Sequence, residues 1–459
     1  MITAQSMLDI KSKNNADRAL ANRARKTALD ILAQAETGGR INDLLHKALA
    51  RSALTDQERR FTTDLVLGIT RLQARLDADL AGCYHGRYGH LQRGVRRLLR
   101  LGAYQLRYME GVPPHAALHT TVELARAIHL ARAGGLINAV LRQLSRRPLV
   151  MDPPVEISIE DLAAFYSHPP WLVERWLGHW GRQQTDALMA WNNRRPTIWL
   201  RPRLDEQRRK QLDRVAAALA TQLQPNAQLP QYLSAHPSPA PLLTGPVMEK
   251  GLFIVQDPSS GAVVRAVDPR PGEVIIDLCA GPGGKTAALA ESVGPQGRVL
   301  AYEIDPERVA LINDTLNRLN LDNVTLYPGD VRTQPLPKAD KILVDAPCSG
   351  TGVLARRADL RWRRQPGHLA EMASLQMSLL EHAAKYLRSG GVLIYATCSL
   401  EPEENWDLVH AFQQRFPEFS VVPMPEGVPQ PWINGQGALQ TFPPDHRVDG
   451  VYAVRLQVL

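Results

Sequence analysis

The spacing of apolar residues changes character twice along this chain. From Asp17 to about residue 146 apolar positions recur three and four apart, the period of one face of an α-helix. The pattern predicts helices over 17–36, 41–50, 56–75, 91–109, 117–132 and 135–146, with breaks at Gly38-Gly39, between Gly111 and Pro114, and at Gly134-Gly135. An all-α bundle of five to seven helices is therefore expected over 17–150, behind a polar tail of residues 1–16. Pro148 to Pro154 reads as a linker. Helical signals at 170–180 and 184–192, a strand at 197–201 and a charged helix near 205–223 predict a small α+β module over 160–245. Prolines 225, 230, 237, 239, 241 and 246 predict a hinge at its end. From 251 onward short apolar runs alternate with helical stretches. Strands are expected near 274–278, 298–302, 323–327, 341–345, 391–396, 419–423 and 451–457, and helices near 284–292, 306–319, 368–388 and 402–415. That alternation predicts a Rossmann-like α/β domain with a parallel sheet over 246–459, whose ligands sit beyond the C-terminal strand ends.

Composition narrows the class. A chain of 459 residues is too long for one ordinary core. No apolar run reaches the roughly 18 residues of a membrane span, and residues 1–16 lack the apolar stretch of a secretory signal. Four cysteines in such a length exclude a disulfide framework and fit a reducing cytoplasm. No bound metal and no obligate assembly are expected, so the chain reads as a monomer. The formal charge is +8, yet residues 1–150 hold 24 Lys and Arg against 12 Asp and Glu, leaving the remainder slightly acidic. A basic front part suits a polyanion, or equally a solvated arginine-rich surface. Arg93, Arg96, Arg97 and Arg100, with Arg142, Arg146 and Arg147, stand at helical spacing and would form such a stripe.

The chemistry concentrates in three stretches. Asp277-Leu278-Cys279-Ala280-Gly281-Pro282-Gly283-Gly284-Lys285-Thr286 follows an apolar strand and leads into a helix. Glycines let backbone approach a ligand, and the helix start offers free N–H groups. Glu303 lies at the end of the next strand, about 20 residues on, where such sheets hold a ribose. The turn mimics the end of a phosphate-binding P-loop, but Cys279 stands where that motif needs its first glycine. Asp345-Ala346-Pro347-Cys348-Ser349-Gly350-Thr351-Gly352 and Tyr395-Ala396-Thr397-Cys398-Ser399 each put a cysteine just past a strand end on the same edge. A single free cysteine is more often a small buried hydrophobe. Two at equivalent strand ends beside an aspartate point to thiol chemistry. Carbon 5 of a pyrimidine is a poor nucleophile until a thiolate adds at carbon 6 and makes an enamine that attacks an electrophilic methyl group. A carboxyl group on the ring edge would stabilise the developing charge.

These three blocks, with Gln256-Asp257-Pro258-Ser259-Ser260-Gly261 upstream and Asn405 closing the third block (Ala396-Thr397-Cys398-Ser399-Leu400-Glu401-Pro402-Glu403-Glu404-Asn405), resemble the signature of S-adenosylmethionine-dependent RNA cytosine-5 methyltransferases. Leu136-Ile137-Asn138-Ala139-Val140-Leu141-Arg142 resembles the end of a NusB-like RNA-binding domain, and one branch of that family, acting on small-subunit (16S) ribosomal RNA, joins the two. The resemblance implies Cys398 as nucleophile, Cys348 as the thiol that helps resolve the covalent adduct, and Asp345 on the cytosine edge near the cofactor. It implies that Cys279, Ala280, Gly281, Pro282, Gly283, Gly284 and Lys285 wrap the methionine and ribose of S-adenosylmethionine, with Glu303 on the ribose hydroxyls and Asp330 by the adenine. Spacing alone leaves the nucleophile open, since DNA cytosine methyltransferases use the cysteine of a Pro-Cys pair, here Cys348. Arg356 to Arg364 would hold substrate phosphates, with Trp362 available for packing or stacking. Glu303 replaces a frequent aspartate, Gly281 a frequent alanine, and Asp449-Gly450-Val451-Tyr452 the usual aromatic pair. Two alternatives stand beside this reading: the same chemistry on transfer RNA, and a non-catalytic NusB-like RNA-binding or antitermination factor. A pure binder has no use for two strand-end thiols around a cofactor turn.

Overall fold

The computed structural model describes residues 22–458; the predicted tail 1–16 and the start of the 17–36 helix lie outside the described residues. The chain divides into two compact units, one of 22–194 with 355–363 and one of 195–354 with 364–458.

The first unit is helical. Its helices are α1 (22–35), α2 (Ile41–Arg51), α3 (Asp56–Arg71), α4 (Gln73–Ala81), α5 (Arg93–Tyr108), α6 (Pro114–Ala127), α7 (Gly134–Arg146), α8 (Ile159–Tyr166) and α9 (Pro170–Asn192). The three-and-four spacing is realised as one apolar core of Leu65, Ile69, Leu76, Leu98, Leu101, Leu141 and Leu144, which also takes in Cys83. A reciprocal Thr55–Glu58 capping box starts α3. Gly181, at φ +70°, breaks α9 where the sequence showed two helical signals.

Two expectations about arginines change. Arg100 is no part of a phosphate-facing stripe: it is buried and grips Asp77 through Nε and Nη2 at 2.7 and 2.6 Å. Arg97 pairs with Glu36 at 2.6 Å, while Arg93, Arg142, Arg146 and Arg147 are exposed. In the 355–363 segment, Arg361 is fully buried and donates to Ser167 O and Asn192 O, both at 3.0 Å, and to Asn193 Oδ1 at 2.8 Å. The Trp362 indole N–H donates to Thr70 O at 2.8 Å. Both side chains are structural, because carbonyls at helix ends lack intrahelical donors and recruit them.

The second unit carries two sheets. The smaller has the order β2–β3–β1–β4, all antiparallel, from β1 (Trp199–Pro202), β2 (Gln222–Pro225), β3 (Leu233–His236) and β4 (Phe253–Val255), with α10 (Glu206–Ala218) against it. The expected hinge at 225–246 is therefore folded structure: prolines flank β3, and Leu229, Tyr232, Leu233 and Leu242 are buried. The main sheet has the order β10–β12–β9–β8–β5–β6–β7 with β11 on β12. Its strands are β5 (Val274–Asp277), β6 (Arg298–Glu303), β7 (Val324–Pro328), β8 (Ala339–Asp345), β9 (Leu387–Thr397), β10 (Phe419–Val421), β11 (Leu439–Gln440) and β12 (Tyr452–Val458). α11 (Pro258–Val267) precedes β5, and the helices between the strands are α12 (Gly284–Val293), α13 (Pro306–Leu319), α14 (Gly367–Ala384) and α15 (Trp406–Arg415).

β5 to β9 are parallel, as the alternation predicted. β12 instead enters antiparallel between β9 and β10, since no crossover helix of useful length separates β10 from β12. Both sheet faces are buried. Ile276, Leu300, Ile342, Leu393 and Val454 pack on α14 and α15 residues, and their alternates Ile275, Val299, Leu343 and Ile394 on α11 and α12 residues. Burial on both faces explains why these strands read as unbroken apolar runs.

Candidate active site

Five parallel strands end at one edge of the main sheet, at Asp277, Glu303, Pro328, Asp345 and Thr397. Register sets Asp277 beside Ala301 and Leu343, and Asp345 beside Ala396. Residues one to three positions past these ends must converge, because parallel strands deliver their C-terminal ends to the same rim.

Cys398 is the first residue past β9 and Cys348 the third past β8, and their sulfurs lie 3.2 Å apart. The Cys398 N–H donates to Cys348 Sγ at 3.3 Å. Both residues are half-buried. The hydrogen bond to Cys398, burial, and the negative charges of Cys398 and Glu404 push the Cys348 thiol well above its usual pKa. Lys285, in the first turn of α12, donates from Nζ to Asp345 Oδ2 at 2.8 Å. Burial opposes its charge, but Asp345, and after it Cys398 and Asp277, raise its pKa above the ordinary lysine value. Lys285 thus lies close enough to Cys398 for the two charges to interact, while Glu404 adds negative charge near Cys348, neither of which residue spacing reveals.

The glycine turn is built from backbone. Ala280 N–H donates to Tyr302 O at 2.9 Å, Gly281 N–H to Glu303 Oε2 at 2.9 Å, and Gly283 N–H to Ala280 O at 2.7 Å. Glu303 Oε1 accepts the Asp305 N–H at 2.8 Å, so the longer acid reaches both loops. Gly283, at φ +96°, turns the chain into α12 and leaves the helix start without a side-chain cap. Asp277 is buried: Oδ2 accepts the Thr286 hydroxyl at 2.8 Å, and Oδ1 has no hydrogen-bond partner. Burial raises its pKa to about 7, with Asp345 adding to the shift and Thr286, Lys285 and the Cys279 N–H opposing it. Burial, then Asp277, Asp345 and Glu303, raise the Cys279 thiol well above its usual value.

Of the residues singled out in the sequence, Cys279 to Lys285, Glu303, Asp345, Cys348 and Cys398 line this rim. Asp330 follows β7, and Arg332 holds its carboxylate at 3.0 and 2.6 Å; no recorded bond ties it to the others among the described residues. Arg364 donates to Ser349 O and Cys348 O at 2.9 and 2.8 Å and so braces the Cys348 loop. Sequence reasoning named Gly450 only as part of a replaced aromatic pair; its N–H donates to Gly352 O at 2.8 Å, while Gly352 N–H donates to Cys398 O at 3.0 Å. That reasoning missed the serine after each cysteine, although Cys-Ser occurs in both blocks and was a usable signal. No group of three or more His, Cys, Asp or Glu among the described residues forms a metal site, and no described helix is long and apolar enough to cross a membrane.

The 16S rRNA methyltransferase RsmB/F family model matches residues 264–457, the NusB family model 22–146, and an RsmF/B-like ferredoxin-like domain model 168–231. The chain is 34% identical over 442 residues to the probable ribosomal RNA small subunit methyltransferase B of Synechocystis sp., covering 95% of this chain and 99% of that protein. It is 35% identical to ribosomal RNA small subunit methyltransferase B of Citrobacter koseri, covering 88% of this chain and 91% of that protein. The crystal structure of PH0851, 24% identical, shares the fold with a TM-score of 0.78 over 95% of this chain and 98% of that one. A methyltransferase sheet with its thiols at the rim, a NusB domain ahead of it and near-full-length relatives lead to one conclusion: this chain belongs to the ribosomal RNA small subunit methyltransferase B family.

Proposed function

We propose that this family member methylates carbon 5 of a cytosine in small-subunit (16S) ribosomal RNA, with S-adenosylmethionine as donor and Cys398 as covalent nucleophile. The observation that carries the reading is the pair of sulfurs 3.2 Å apart beside the Lys285–Asp345 ion pair. A base must leave its stack to reach such a rim. The Cys398 thiolate, on the side of the Lys285 charge, adds to carbon 6. Asp345 holds the ring edge and stabilises the charge that develops there. Carbon 5 of the resulting enamine would then take up the methyl group while S-adenosylhomocysteine leaves, and loss of the carbon 5 proton to a base, with scission of the carbon 6–sulfur bond, frees the product and returns the Cys398 thiolate. Cys348, in contact with the Cys398 sulfur, assists that second stage.

The rim suits the donor. The uncapped start of α12, the backbone turn through Gly281 and Gly283, the unpartnered Asp277 Oδ1 and the buried Glu303 at the next strand end match a ribose diol and a charged amino-acid end. Cys279 to Lys285 would hold the methionine and ribose, Glu303 the ribose hydroxyls, and Asp330, once released by Arg332, the adenine. Bound there, the donor supplies an electrophilic methyl group next to the base. In this reading 17–150 is the RNA-binding domain, 160–245 a module that helps grip RNA, and 246–459 the catalytic domain of a cytoplasmic monomer.

Tritium from labelled donor is expected to enter unmodified small-subunit ribosomal RNA and not transfer RNA. Cys398→Ala is expected to abolish transfer, and Cys348→Ala to accumulate an RNA–protein adduct on a denaturing gel. The reverse gel pattern would swap the two roles, and labelling of transfer RNA alone would overturn the substrate.

A further inference from the structure

The carboxylate of Glu404 takes no part in the chemistry above, yet it lies fully buried between the two sulfur-bearing loops. Oε1 accepts the Ser349 N–H at 2.7 Å and Gln376 Nε2–H at 2.9 Å; Oε2 accepts the Ser349 and Ser399 hydroxyls, the latter at 2.5 Å. Ser349 follows Cys348 and Ser399 follows Cys398, and the two hydroxyls are themselves 3.0 Å apart. Around this knot Tyr395 donates to Glu404 O and to Gln376 Oε1, the latter at 3.0 Å. Asn405 closes it, accepting from Thr397 at 2.7 Å and donating to Ser399 O at 3.0 Å. No cation pairs with Glu404 among the described residues, so every bond to its carboxylate comes from a neutral donor. A buried charge held only by neutral donors is costly unless each is in place. All four are, and three of them belong to the residues that follow the cysteines.

We infer that Glu404 is the positioning residue of this site: its carboxylate ties the Cys348 loop to the Cys398 loop and holds the two thiols side by side at contact distance, facing one substrate ring. The inference rests on the two-thiol chemistry proposed above. Glu404 touches neither substrate nor sulfur, and it acts through Ser349 and Ser399. Its charge is also one of those that keep Cys348 protonated. A glutamine has the same shape, can present its amide N–H groups to the serine oxygens and its oxygen to Ser349 N–H and Gln376, and removes only the charge. An alanine removes the tie itself.

The test uses the full chain and a bifunctional thiol alkylator, dibromobimane, with the Cys348–Cys398 bridge mapped by mass spectrometry. Wild type and Glu404→Gln are expected to bridge the two thiols to the same final extent, the variant no more slowly because loss of the charge eases ionisation of Cys348. Glu404→Ala is expected to lose the bridge, and its single-turnover methyl transfer to fall about 100-fold with donor affinity unchanged. If Glu404→Ala does not fold, Ser399→Ala removes one strand of the tie and is expected to slow bridging and transfer together. A folded Glu404→Ala or Ser399→Ala variant that bridges like wild type overturns the inference. Because bridging does not require turnover, a wild type that bridges but transfers no methyl group would instead sink the functional reading and leave the positioning role intact.

Discussion

Asp277 offers a prediction whose sign and size both come from the structure. Its carboxyl is fully buried, one oxygen has no partner, and burial lifts its pKa from an ordinary 3.8 to about 7. An acid with a higher pKa in the folded state binds its proton more tightly there than in the unfolded chain. The stability it contributes is therefore fully present below about pH 4 and is lost as pH rises to about 7, where the folded form also ionises. At roughly 1.4 kcal/mol per pH unit, that window corresponds to about 4 kcal/mol for the donor-free protein. Asp277→Asn mimics the protonated form, keeps an acceptor for Thr286 and removes the titration. Hydrogen–deuterium exchange of peptides covering 274–290 in urea, at pH 5, 6, 7 and 8, reads this unit apart from the helical one. The difference in protection between Asp277→Asn and wild type is expected to grow in favour of the variant as pH rises toward 7, and to level off above it. A difference that stays flat, or grows toward acid, would refute the assignment of a raised pKa to burial.

Other substitutions probe neighbouring parts of the same argument. A methyl group at Gly281 would overlap the Glu303 carboxylate and meet Arg308 Cδ at 2.7 Å; Gly281→Ala should weaken donor binding about tenfold, and adding Glu303→Asp should restore most of it by calorimetry. The glycine and the longer acid would then be a matched pair. At Gly352 a methyl group would press on the Gly450 backbone, with its carbonyl carbon at 2.8 Å; Gly352→Ala should cost about 1–3 kcal/mol in thermal unfolding and displace Cys398, lowering single-turnover transfer. Arg361, whose guanidinium burial lowers to a pKa of about 9, donates to four acceptors, Arg71 O, Ser167 O, Asn192 O and Asn193 Oδ1. Arg361→Met leaves those acceptors unpaired and should destabilise the helical unit by about 1–3 kcal/mol or more, seen as faster exchange in 159–194 peptides.

What the sequence determined on its own was local. Helical and strand periods follow from which face is buried, so the bundle, the alternating α/β region and even the break of α9 at Gly181 could be read from spacing. Because β5 to β9 run parallel, short motifs after each strand had to meet at one rim, and Cys279, Glu303, Asp345, Cys348 and Cys398 do. Tertiary structure alone decided the rest. The 3.2 Å between sulfurs, the Lys285 charge on one thiol and the Glu404 charge on the other join residues 50 and more positions apart. Arg100 and Arg361 looked like surface cations but are buried, because unpaired acceptors at helix ends and Asp77 lie where only the fold brings them. Burial and long-range charge depend on distance in space, and no pattern of neighbours along the chain encodes that distance.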